Sequence, residues 1–458
     1  MTMNLNIRKL KSFVSRCLYK FLLDGSLKAY GVIMEDTVHK FHSQYSIIGL
    51  AFSMQVGIGY LIAPLATFLN ERFNSRLVAI VGGFLAGMGY IGRALFPPKT
   101  ILHLLMYLSV SGFGFGLVNV ITVVSLKESF EADYATAYSI SMFASYIGVA
   151  TLPPLLSYLE QSRSVEEGML VLGIITSTLV VTGFFTDTTK NTKSEDSSYV
   201  ETDSGELGSK PKGLSIEDND FKAETALDET TGGPGYTETS QLMLQRSSND
   251  EESKEGTKSS FKAWMRLFSK HPEFVALLYI STIGDMEFTS WSIFLVPYGE
   301  YLGIDSTTAV WLSTIGGISG FIGRVYSSVL FYHKRMNLTL GFHLPLSCLV
   351  VGYVISFIDS TFLALAATAL LSGFGISVQS CVSSSLLPSC VCSYHFKHAV
   401  TVYYGIGGFA TLLAGFSTGG MVDVTGSYRY AFMYLTSLVV TQIITSVIWS
   451  VSPNLTSV

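Results

Sequence analysis

Charge is what this sequence has least of. Only 14% of its 458 residues are Asp, Glu, Lys or Arg, against about 25% in soluble domains. The charges that exist crowd into one central stretch, which argues against a soluble globular protein. Cysteine is also scarce. Cys17, Cys348, Cys381, Cys390 and Cys392 make no disulfide framework, and four lie in or beside apolar runs, where cysteine acts as a small packing residue. Cys390 and Cys392 form a C-x-C pair without a second ligand pair. His39 with His42, and His395 with His398, are HxxH pairs without a carboxylate motif, so no metal site is expected. A Gly-rich phosphate loop and a nucleophile elbow are both missing, which leaves neither a cofactor nor an enzyme to expect. With a net charge of −5 and no basic face, nucleic acid is not an expected partner.

Long apolar runs are what the chain does have. They cover about 45–69, 77–96, 101–126, 135–159 and 169–185, then 272–298, 307–331, 338–358, 361–387, 399–422 and 430–451. Each approaches the roughly 20 residues a helix needs to cross a bilayer, so the lipid bilayer is the expected surrounding. Residues 1–20 carry Arg8, Lys9, Lys11, Arg16 and Lys20 without an acid. The run from Phe21 to Met34 is broken by Asp24 and Lys28, which reads as a weak first span behind a cytosolic basic start, not as a cleaved signal. Between 187 and 271 the composition turns to Ser, Thr, Glu, Asp, Lys and Gly, the signature of a disordered linker. Its end, Phe261 to Phe268, reads as a short interfacial helix. The expected organisation is therefore 1–186, a cytosolic linker over 187–271, and 272–458. SGFGFGLVNV at 111–120 echoes SGFGISVQS at 372–380, as expected of repeated halves.

Orientation follows from basic residues in the short loops. One side collects Arg72, Arg76, Lys127, Lys334, Arg335 and Lys397; the other has Lys40, Lys99, Arg163 and Arg429. Together with the basic N-terminus, this places both termini and the linker in the cytosol. The sequons at Asn337 and Asn454 then face the cytosol too.

Two charges stand inside apolar runs. Burying one costs about 2.5–3.5 kcal/mol on insertion scales, so such residues usually line a pathway. Arg324 lies ten residues before Lys334, about 15 Å along a helix, too far for easy snorkelling to the interface. Its planar guanidinium matches a carboxylate at two points. Asp285 lies thirteen residues after Pro272, about 20 Å along its helix, where it is a candidate substrate-binding residue that could pair with Arg324 or carry a proton. Glu287, about 200° further round, reads as a packing residue, and Arg93, beside Pro97 and Pro98, as an interface anchor. Trp291, Asn119, Tyr138, Ser377, Gln379 and Tyr403 are residues that could shape a cavity.

FLVPYGEYLGI (294–304) resembles the seventh-helix exit of the monocarboxylate transporter family of solute carriers. STIGGISGFIGRV (313–325), with Arg324, resembles its eighth helix, and GGMVDVTGSY (419–428) its eleventh-helix exit. APLATFLNERFNSR (63–76) and SFEADYATAYSIS (129–141) are looser matches. The resemblance implies an all-α polytopic membrane protein with the major facilitator fold, two six-helix halves and a degenerate or truncated first helix. It implies a plasma-membrane carrier of a small organic anion, a monocarboxylate or an aromatic or amino-acid-like carboxylate. A single-span ancillary membrane protein serves some relatives as a partner. Laid over the family's first helix, LKAYGVIM (27–34) puts Lys28 where lactate-type members carry a substrate-binding lysine. Departures accompany the likeness. The family's acidic-Gly opening is absent, as are its basic cluster after Glu131 and the proline pair near Gly415. The acid that proton-coupled members carry one turn before the arginine is Gly320, so the resemblance does not carry strong proton coupling with it. A non-transporting membrane sensor or interaction protein of the same fold is the alternative.

Overall fold

The computed structural model describes residues 2–130, 133–186, 268, 272–333, 335–387, 389–391 and 396–451. The expected linker, its interfacial helix apart from Phe268, and the sequon at Asn454 lie outside them. Every long element among the described residues is a helix. The first corrects a sequence expectation. α1 runs unbroken over Thr2–Ala29, so Arg16 and Lys20 sit inside the first span and not before it. A short α2 (Met34–Phe41) follows.

The second span is α3 (Tyr45–Leu61) and α4 (Ala63–Arg72), bent by 44°. Pro64 stands in the first turn of α4, where a missing N–H costs no helical hydrogen bond. Then come α5 (Ser75–Leu95), α6 (Ile101–Phe130), α7 (Tyr134–Ser141) with α8 (Phe143–Ser162), and α9 (Val165–Ser177) with α10 (Val180–Phe185). After the gap come α11 (Pro272–Tyr301), α12 (Ser306–Ala309) and α13 (Trp311–Tyr332). A π-helical turn at Thr339–His343 leads into α14 (Leu344–Ile358), and α15 (Phe362–Leu386), α16 (Phe396–Thr425) and α17 (Tyr428–Val451) complete the bundle. Side-chain caps mark several span starts. Asn74 accepts from the Arg76 amide at 2.9 Å, Ser164 from Glu167 at 3.2 Å and Thr361 from Ala364 at 3.3 Å, each filling an orphan donor of a first turn.

Eight described helices are long and apolar enough to cross a membrane, nine with the bent α3–α4 pair. The three long helices outside that set are α1, α11 and α13, the ones that carry Arg16, Lys20, Asp24, Asp285 and Arg324. What disqualifies them by composition is what they bring to the interior. α13 shows the division within one helix. Gly316, Gly320, Gly323 and Arg324 are buried, while Ile318, Phe321, Ile322, Val325 and Val329 are exposed, an apolar outer surface suited to lipid.

The first ten helices meet the last seven along α3 against α16, α8 against α13, and α1 against α11. On the first of these lines a Cβ at Gly415 would lie 2.0 Å from the Gly49 carbonyl oxygen. Only glycine allows that approach, the small-residue packing that membrane helices favour.

Candidate functional site

A cavity opens between the two sets of helices. α1 lines it with Arg16, Lys20 and Asp24, and residues of α3, α6, α7, α8, α11, α13, α15 and α16 complete it. On α1 the spacing of four puts Ser12, Arg16, Lys20, Asp24 and Lys28 along one stripe. Ser12 hydrogen-bonds Ser125 and Ser129 at 2.7 and 2.8 Å. Lys20 Nζ pairs with Asp24 Oδ2 at 3.0 Å, one turn apart. None of these three cavity charges was expected as a site residue, because the run of bases before Phe21 read as a cytosolic start. The four-residue spacing of base, base and acid was the signal that could have found them.

Arg16 is buried and closely held. Its guanidinium donates to Asn119 Oδ1 at 2.7 Å, Thr122 Oγ1 at 3.3 Å and the Tyr138 hydroxyl at 3.3 Å. It also lies 5.0 Å from the ring centroids of both Tyr19 and Tyr138, within cation–π range. Arg324 faces the same cavity with far less support. One nitrogen donates to Ser380 Oγ at 3.2 Å, its Nε is buried without a partner, and the Tyr146 ring lies 5.5 Å away. Asn119 and Ser380 occupy matching positions of the two echoing segments, and each receives an arginine.

Asp285 also lines the cavity. It forms no pair with Arg324: the ion pairs among the described residues are Arg8–Glu128, Lys20–Asp24, Lys40–Glu166 and Arg163–Glu167. Its carboxylate rests on α16, where a Cβ at Gly407 would come within 2.7 Å of Oδ2. A recess beside it is lined by Ser281, Gln379, Ser383 and Tyr403.

Lys28 is not brought to the cavity lining. It is fully buried, donates to the Trp291 carbonyl at 2.7 Å and lies 3.5 Å from the Trp291 ring centroid, which ties α1 to α11. Of the residues expected to shape a cavity, Asn119, Tyr138 and Tyr403 line it and Gln379 lines the recess, whereas Trp291 and Ser377 line neither. Glu287 is fully buried, away from the cavity, with both carboxylate oxygens unpartnered. Arg93 is buried 5.9 Å from the Tyr30 ring.

Polar contacts away from the cavity lining also tie the two sets of helices together, a seal between them. Glu35 accepts from the hydroxyls of Tyr45 at 2.7 Å and Tyr428 at 2.5 Å. Asp423 accepts from the amides of Tyr45 at 2.8 Å and Ser46 at 2.9 Å. These contacts join α2 and α3 to the end of α16 and the start of α17, with Tyr298 and Tyr301 packed on Tyr428.

Comparison with known proteins agrees with this architecture. Residues 17–417 match the sequence model of the Major Facilitator Superfamily. Monocarboxylate transporter 2 of Homo sapiens is 22% identical over 90% of this chain and 79% of its own length. Monocarboxylate transporter 7 of Homo sapiens is 22% identical over 89% and 79%. Among solved structures, the nucleoside transporter NupG superposes with a TM-score of 0.63 at 12% identity, covering 96% of this chain and 98% of that one. A POT family transporter in complex with 5-aminolevulinic acid gives 0.66 at 13%, covering 99% and 97%. With its helical bundle, central cavity and this match, the chain is a multi-pass membrane protein that belongs to the major facilitator superfamily.

Proposed function

We propose that the protein is a secondary carrier for a small organic anion, a carboxylate, and that halves 1–186 and 272–458 alternate in exposing the cavity. The observation that carries this reading is Arg324. A guanidinium held in a membrane interior by neutral groups is stable only with further polar or anionic company, and a carboxylate supplies it in planar, two-point geometry. The names of the sequence relatives support a monocarboxylate. Size supports a compact substrate: about 70 Å³ of free space holds about five waters at roughly 10–15 Å³ each. Gly320 supports a carrier without the arginine-coupled proton site. The basic loop residues support cytosolic termini, and the resemblance to monocarboxylate transporters supports the plasma membrane.

The test is uptake into proteoliposomes across lactate, pyruvate, ketone bodies, aromatic amino acids and larger carboxylates. A carrier shows saturable flux of at least one. No saturable flux of any would turn the reading toward a membrane sensor of the same fold.

A further inference from the structure

Two charges of opposite sign face this cavity without meeting each other. Arg324 donates to Ser380 and lies against the Cys381 thiol with no carboxylate partner, and Asp285 has neither a hydrogen bond nor an ion pair among the described residues. The other charges have closer partners. Lys20 and Asp24 pair at 3.0 Å, and Arg16 has three neutral oxygen acceptors and two tyrosine rings. Of the cavity's three cations and two carboxylates, Arg324 and Asp285 are the two with the fewest close partners.

We infer that Asp285 binds a cationic group of the substrate while Arg324 binds its carboxylate, so that the preferred substrate is a small amino carboxylic acid, not a plain carboxylate. An unpaired carboxylate and an unpaired guanidinium in a membrane interior each cost free energy, and one zwitterion offsets both at once. Had the two side chains met, a structural ion pair would have served instead. A substrate carrying only a carboxylate leaves Asp285 unmatched and adds a second negative charge beside it. The surroundings of Asp285 suit an ammonium. Its carboxylate rests on a glycine surface at Gly407. Tyr403 lines the cavity and its recess together with Asp285, and aromatic rings attract ammonium groups.

This rests on the carrier reading above, and the test separates the two. Full-length protein in proteoliposomes is assayed for uptake of matched pairs, butyrate against 4-aminobutyrate and propionate against 3-aminopropionate, at fixed pH. The expected result is a preference of about tenfold or more for the amine-bearing member, the scale of one charge-assisted contact. Asp285→Asn should bring that ratio close to one, because the neutral amide no longer discriminates for charge. Saturable uptake with equal rates for both members of each pair overturns the inference and leaves the carrier intact. A preference that survives Asp285→Asn also overturns it. Failure of every probe to show saturable flux removes the carrier reading and the inference together.

Discussion

The ring of Tyr146 fills the space that a side chain at Gly320 would need. A Cβ at 320 would lie 2.0 Å from Tyr146 Cδ1 and 2.1 Å from Cε1, and the same ring lies 5.5 Å from the Arg324 guanidinium. The position where proton-coupled relatives are expected to carry an acid is thus closed by an aromatic ring. An acid placed there by a single substitution meets that ring.

Gly320→Asp should therefore destabilise the protein by about 1–3 kcal/mol, the usual cost of overpacking, since the buried Tyr146 has little room to turn away. Adding Tyr146→Ala should recover part of that loss by opening the space. Thermal unfolding of the purified protein in detergent reads both. If Gly320→Asp alone unfolds at the parental temperature, the ring yields easily and the account fails.

Arg324→Lys keeps the charge and loses the planar two-point contact. The expected outcome is a rise in KM of about tenfold, near 1.4 kcal/mol, at matched protein level. Arg324→Ala should be worse, because the carboxylate then meets no cation there. Parental kinetics in the lysine variant would show that Arg324 does not touch the substrate.

Much of the bundle was legible because lipid demands long apolar runs, and the eleven stronger segments all fall on helices. Arg324 and Asp285 were legible for the opposite reason, as charges where lipid tolerates few. α1 was misread because Arg16, Lys20 and Asp24 lower its apolarity until it no longer resembles a span. Hydropathy cannot distinguish a helix that faces a polar cavity from one that never enters the membrane; the four-residue spacing can. Lys28 shows another limit. The resemblance placed it at the substrate, but its surroundings depend on Trp291, 263 residues away in sequence, and no local pattern encodes that packing.

Arg16 makes a separate demand on α6. Its shortest hydrogen bond is to Asn119 at 2.7 Å, between buried side chains. Asn119→Ala would leave a charged donor unmet and cost about 1–3 kcal/mol of stability. Asn119→Asp keeps the acceptor and adds a countercharge, so it should retain parental stability or exceed it. Thermal unfolding midpoints of the two variants decide the matter. Equal losses in both would mean that Asn119 matters through its packing and not through the acceptor it offers Arg16.

The seal around Asp423 supplies the last prediction, which concerns how the cavity opens. α1 rises from Thr2 over 28 residues, about 42 Å at 1.5 Å per residue, so the seal that follows α2 lies at the far end of the bundle from Thr2. Asp423, at the end of α16, accepts from the first two amides of α3. This is a helix N-terminus capped by a carboxylate from the other set of helices, favoured by the orphan N–H groups and by the helix dipole. Under the proposed alternating access, this contact breaks each time the cavity opens on that side. Asp423→Asn keeps one acceptor oxygen and turns the other toward the amides as a donor, so at least one bond is lost and the charge with it. A loss of about 1–2 kcal/mol in the sealed state raises the open-to-sealed ratio about 5- to 30-fold. Phe288→Cys, on the cavity wall, reports the change through labelling by a membrane-impermeant thiol reagent applied from the sealed side, with the native cysteines replaced. Labelling of that cysteine should be faster in the Asp423→Asn background than in the parental one. Unchanged labelling would mean that the glycine packing of α3 on α16 keeps that end closed without Asp423.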